Sequence, residues 1–278
     1  MPEAKRIYPF KVREDYDEEA FLLQTIKEAR EYLLKRLEEA YSIPYLVFSK
    51  ICMLSMIDML AQEWNNYPVN GSGAAFSKFV EKFADKYDFW EWTDPITLFY
   101  EYEPKIQKII KSPRLHQMYP DQFPPELEVT LGSTGTYDNK SIREIAKTSI
   151  TDKLISLIDR QEDAKQKKRL IENHSFIKLL YKFRSKAVHE LSSMGSEIKG
   201  ANDDADEPYY RDMGRMYVDD NFIVSCNVVE LVIPRKFIYD LTLTCITNYL
   251  NYCQDEHKLP FQNNAGFKRP VDLTWVDK

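Results

Sequence analysis

A chain of 278 residues is long enough to bury a substantial core, and 44% hydrophobic content, 13% aromatic content and only 8 Gly exclude fibrous and disordered classes. The opening Met-Pro-Glu-Ala-Lys-Arg lacks the apolar stretch of a signal peptide, and every long apolar run is broken by Lys, Asp or Glu, so neither export nor a membrane span is expected and the expected location is the cytoplasm. A net charge of -6 argues against a generic nucleic-acid coat, and four scattered cysteines (Cys52, Cys226, Cys245, Cys253) fit neither a zinc site nor a small disulfide scaffold.

From Asp17 to about Ala40, Phe21, Leu22, Ile26, Ala29, Leu33 and Leu37 recur at helical spacing among charges and predict an amphipathic helix. A second helix, about Tyr45 to Trp64, is apolar on most sides and should be central in a bundle. After the turn-rich Asn66-Tyr-Pro-Val-Asn-Gly-Ser-Gly, residues Phe76, Phe79, Val80 and Phe83 mark a short third helix, and a fourth fits Pro95 to about Lys111. Residues 112–138, rich in Pro and Gly, predict a long loop.

Residues 136–194 contain neither Gly nor Pro and predict two helices, about 141–160 and 163–193, with Gly195 as the stop for the second. Further on, Met216-Tyr-Val, Phe222-Ile-Val-Ser-Cys and Val228-Val-Glu-Leu-Val-Ile are β-branched and aromatic, which predicts a small β-ribbon over about 214–233. Pro234 ends it, and Phe237, Leu241, Leu243, Ile246 and Leu250 mark a closing helix to about Cys253, on which Cys245 and Cys253 read as packing residues. The expected fold class is mainly α: a single domain, an up-and-down helical bundle with its core over about 16–193 and 234–256, interrupted by the ribbon.

Charge is distributed unevenly. Residues 160–186 hold nine Lys/Arg against three acids, whereas 201–220 hold seven acids against two arginines. The acidic stretch has the charge to fold back on the basic helix and mask it. On the 163–193 helix, Phe176, Leu180, Phe183, Ala187 and Leu191 share the inward face. Lys178, Lys182, Ser185 and His189 follow at steps of 4, 3 and 4 as a stripe on the outer side, and Arg184 stands at the edge of the apolar arc, about 140° around from His189. A histidine beside an arginine and lysines suits phosphate chemistry, because imidazole titrates near neutral pH and guanidinium grips phosphate oxygens through two donors.

A helical chain with a late helix reading Phe183-Arg-Ser-Lys-Ala-Val-His-Glu-Leu, ahead of one more helix, resembles the HEPN superfamily of helical-bundle ribonucleases, whose motif is Arg, four to six residues, His. The resemblance implies metal-independent cleavage of RNA by a homodimer that places both motifs in one cleft; single-stranded RNA is the expected substrate, no cofactor is expected, and a regulatory protein partner is among the expected contacts. Arg184 and His189 carry over as the catalytic pair, and Ser185 stands where active members often carry Asn, Asp or His. In this chemistry the 2′-hydroxyl attacks its own phosphate while His189 transfers a proton and Arg184 stabilises charge on the phosphorus-bound oxygens. Lys178, Lys182 and Ser185 would bind the substrate, and the products would be a 2′,3′-cyclic phosphate and a 5′-hydroxyl, as suits a toxin or defence effector.

A second reading keeps the bundle without the chemistry: a catalytically silent binding or scaffold module that self-associates, with Arg184 and His189 as surface or interface groups. A metal-dependent hydrolase fits less well, since His116, His174 and His257 stand in no ligand spacing. His174 is expected on the polar side of the same helix as Ser185, near its start. Asn70-Gly-Ser-Gly-Ala-Ala lacks the lysine of a phosphate loop, and Trp90 and Trp92 read as core rather than as base-stacking platforms.

Overall fold

The computed structural model describes residues 17–65, 72–94, 97–98, 140–142, 164–190, 203–216 and 226–261. Within them the chain is a helical bundle with a small antiparallel sheet, as the sequence predicts. The helices are α1 (Glu18–Tyr41), α2 (Leu46–Trp64), α3 (Ser72–Phe83), α4 (Ala164–Asn173), α5 (Phe176–Glu190) and α6 (Arg235–Asp255), and the strands are β1 (Lys140–Ser141), β2 (Tyr209–Met216) and β3 (Cys226–Val232). The helix expected over 95–111, the loop over 112–138 and nearly all of the helix expected over 141–160 lie outside the described residues. Among the described residues, no helix is long and apolar enough to cross a membrane.

α1 begins where Asp17 can cap it: the carboxylate accepts from Glu19 N at 3.1 Å and Ala20 N at 3.0 Å, and Glu18 and Glu19 add negative charge to the positive end of the helix dipole. Its apolar residues Leu22, Ile26, Ala29, Leu33 and Leu37 are buried, and Lys27, Glu28, Glu31, Lys35 and Arg36 are exposed. α2 packs against α1, α3, α5 and α6, the central position its composition predicts. Its charges join its apolar residues Met53, Leu54, Ile57 and Leu60 on the inside. All three charged residues of α2, Lys50, Asp58 and Glu63, are buried, whereas Phe48 and Cys52 are exposed.

α3 starts at Ser72, inside the segment expected to turn, and so absorbs Gly73 into a helix. A Cβ at Gly73 would meet the Tyr181 ring at 2.7 Å, so the missing side chain lets α3 approach α5 closely. The sheet has the order β1-β2-β3. β2 begins earlier than the expected ribbon, with Tyr209 opposite Val232 and Tyr210 opposite Leu231, and the register shifts between Asp212 and Arg215, around Gly214. β1 occupies the position where a helix was expected to begin, pairing Lys140 with Tyr210 and Ser141 with Tyr209. The sheet joins the bundle where Leu231 and Ile233 meet Phe89, Trp90, Phe176 and Phe237.

The helix expected over 163–193 is two helices, broken at His174–Ser175, although no Gly or Pro stands there. The breaker is tertiary. The Trp90–Asp94 segment crosses the chain at this point: Asp94 N donates to His174 O at 2.8 Å, Phe176 N to Trp92 O at 3.1 Å and Ile177 N to Trp90 O at 3.2 Å, with Thr93 and Ser175 bridged as in a sheet. The carbonyls of Trp92 and Trp90 thereby satisfy amides at the start of α5 that have no partner inside the helix. Asp94, fully buried, also accepts from the Tyr210 hydroxyl and from Thr97 N at 3.2 Å, which ties the sheet to the same segment. Burial, reinforced by Asp94, pushes the Tyr210 phenol well above its usual range.

Asp203 and Asp206 of the acidic segment pair with residues away from the basic helix. Asp203 Oδ1 sits 2.7 Å from Lys50 Nζ and accepts from Arg235 N at 3.2 Å, while Asp203 O accepts from Lys236 N at 2.9 Å; Asp206 pairs with Lys236. Pro234, at the N-cap of α6, has no hydrogen-bonding side chain, so Asp203 caps α6 from outside and fastens it to α2.

Candidate functional site

α5 carries the Arg184–His189 motif as one uninterrupted helix from Phe176 to Glu190, and the predicted inward residues Phe176, Leu180 and Phe183 are buried. Ile177 and Leu179 are buried as well, so the apolar arc is wider than the predicted row. His189 lies on this helix, but its side chain, like that of Ala187, is outside the described residues.

Arg184 turns toward α2. Its Nη2 donates to Asp58 Oδ2 at 2.6 Å, and Gln62 Nε2 donates to the same oxygen at 3.2 Å. The Arg184 side chain is 18% exposed and that of Asp58 5%. Burial raises the Asp58 carboxyl above its ordinary range even though Arg184 and then Gln62 draw it down, so taking this carboxylate out of water costs more than the pairing returns. Two buried atoms beside the pair, Asp58 Oδ1 and Arg184 Nε, have no hydrogen-bond partner among the described residues.

Lys178 and Arg184 leave α5 toward different helices. Lys178 Nζ donates to Ser77 Oγ of α3 at 3.3 Å, while Arg184 points to α2. Lys178, Lys182 and Ser185 are all half-buried, so the stripe expected on the outer side is a partly closed seam; neighbouring helices flank α5 more widely than a lone helix wheel implies. His174 is buried at the break between α4 and α5 rather than on a polar face, and Trp90 is buried with its Nε1 donating to Ala84 O at 2.9 Å. Lys165, Lys168 and Arg169 are exposed on α4.

Asp58 and Gln62 are the members of the site that the sequence reading missed. The available signal was a lone Asp in the apolar run Met53-Leu-Ser-Met-Ile-Asp-Met-Leu-Ala, where a buried charge requires a partner from elsewhere. Chemically the arrangement is a guanidinium braced on one side by a carboxylate, one helical turn and a half before a histidine on the same helix. Among the described residues, no group of His, Cys, Asp and Glu gathers as a metal site. No family model matches the chain, and no curated protein or solved structure matches it either.

Proposed function

We propose that this chain is a metal-independent endoribonuclease of HEPN type, working in the cytoplasm as a toxin or defence effector, with single-stranded RNA as substrate and Arg184 and His189 as the catalytic pair. The observation that supports this most is the state of Arg184. One of its donors is fixed by Asp58, its Nε is buried without a partner among the described residues, and its head stays partly exposed. A guanidinium so held has lost the freedom an anion would otherwise have to remove on binding. In this reading Arg184 meets the phosphate, His189 moves the proton, and Lys178, Lys182 and Ser185 hold the neighbouring backbone. A dimer that joins the motifs of two protomers supplies a second histidine.

The alternative reading, a catalytically silent scaffold, is favoured by a different observation: Arg184–Asp58 and Lys178–Ser77 both spend a motif cation on joining α5 to its neighbours. Cleavage of a labelled single-stranded RNA in EDTA separates the two. Loss of cyclic-phosphate products in His189→Ala, with helicity unchanged, is the expected result. Cleavage that survives this substitution removes His189 from the mechanism, and intact RNA with both chains favours the scaffold. Arg184→Ala is a poor substitute for this test, since it strands the Asp58 carboxylate.

A further inference from the structure

Charge buried and apolar surface exposed on the same helix is the reverse of what a surface helix needs. On α2 and its N-cap, Tyr45 is 72% exposed, Phe48 48% exposed and Cys52 exposed, and Met56 and Met59 continue the row half-buried, each packed in part against the core and in part open. Taking Cys52 as origin and about 100° per residue, all five fall within about 40° of one line, while Lys50 lies about 160° and Asp58 about 120° away. One turn beyond Met59, Glu63 is buried, so the open stripe ends there. No charged residue stands on it between Tyr45 and Met59.

We infer that this stripe is a self-association surface, on which α2 of a second copy packs antiparallel about a two-fold axis at Cys52. The spacing carries the choice of occupant. Tyr45, Phe48, Cys52, Met56 and Met59 stand symmetrically about Cys52, so an antiparallel copy places Phe48 against the second copy's Met56, Tyr45 against its Met59, and Cys52 against its own equivalent. Aromatic against thioether is a favourable contact, and the small residue at the axis lets the helices approach. Charge points the same way. The chain carries a net charge of -6, which opposes association of two copies, and a stripe without charge adds no local repulsion to this and pairs with itself without burying a charge.

The stripe is about 21 Å long, a small contact beside a standard interface of roughly 1,600 Å² in total, so the dimer is expected to be reversible and to need high protein concentration. Asp58, and with it Arg184, lies on the far side of α2. The surface therefore goes beyond the ribonuclease reading and does not depend on it: a pairing of two Arg184–His189 motifs would use another face.

The test is cross-linking through Cys52 in the full chain carrying Cys226→Ser, at about 100 µM, the high concentration that so small a contact needs. A short bis-maleimide should give a covalent dimer that Cys52→Ser abolishes. Phe48→Glu and Met56→Lys should each reduce the yield about tenfold, since each buries an unpaired charge, while mixing the two variants restores it by setting the new carboxylate of one copy against the new ammonium of the other. Tyr32→Glu, on the exposed side of α1, should leave it unchanged. No cross-link in the wild type, a yield indifferent to Phe48→Glu, or failure of the mixture to recover overturns the two-fold pairing. Flotation of a monomeric wild type with phosphatidylcholine vesicles, lost in Phe48→Glu, would overturn it in favour of a membrane surface. Cleavage of RNA by a chain that does not cross-link would end this inference and leave the ribonuclease reading standing; a cross-linked dimer without cleavage would do the reverse.

Discussion

α1 and α2 are neighbouring antagonists in the same bundle. α1 hides Leu33 and Leu37 and turns its charges to water, whereas α2 hides Lys50, Asp58 and Glu63 and turns Phe48 and Cys52 outward. Periodicity alone explains the first, because an apolar stripe on one side of a helix has only one place to go. The second is set by partners: Asp203 reaches Lys50 from the segment before β2, and Arg184 reaches Asp58 from α5. A buried charge is stable only where such a partner arrives, so the polarity of α2 is a property of the assembled bundle and that of α1 a property of its own sequence.

The contrast is broken hardest at Lys50. Asp203→Ala removes the carboxylate that pairs with a fully buried ammonium and uncaps α6, and should cost about 3–5 kcal/mol in urea unfolding. A loss no larger than that of a surface substitution would show that Lys50 is not held by Asp203.

A smaller effect sharpens the contrast through pH. The Asp58 carboxyl is raised in the folded state, chiefly by burial, so its ionised form is penalised by folding and the penalty disappears as pH falls through the folded value toward about 3.9, the unfolded one. Between neutral and weakly acid pH the wild type should therefore gain stability relative to Asp58→Asn, which cannot take up that proton. A difference between the two proteins that stays constant with pH contradicts this. The smallest effect belongs to α1: the Arg36–Glu39 pair, 2.7 Å long with side chains 52% and 47% exposed, is screened by water, and Glu39→Ala should leave the urea midpoint where it was. A measurable shift there would erase the distinction between the helices.

The same division separates what the sequence discloses from what it conceals. α1, α2 and α6 begin and end within a few residues of the predicted positions, because Asp17, Pro44 and Pro234 act on their own neighbours in the chain. Conversely, α3 begins early because Gly73 is fitted to Tyr181, and the 163–193 helix is cut by the distant carbonyls of Trp90 and Trp92. The site follows suit. Arg184 was legible as a residue at the edge of the apolar arc, but its anchorage to Asp58 was not, and neither was the turn of Lys178 toward Ser77. The acidic segment was legible as charge without a destination; Asp203 and Asp206 go to Lys50 and Lys236.

The crossing of the Trp90–Asp94 segment over the start of α5 bears on where that helix is placed along its axis. α4 closes its turns from neighbouring residues, but Phe176 and Ile177 find their acceptors only on Trp92 and Trp90, far back in the chain. The helix that bears Arg184 thus takes its register from a distant aromatic stretch of chain, and a fault in that upstream segment would misplace Arg184 along its axis without touching a single residue of the motif.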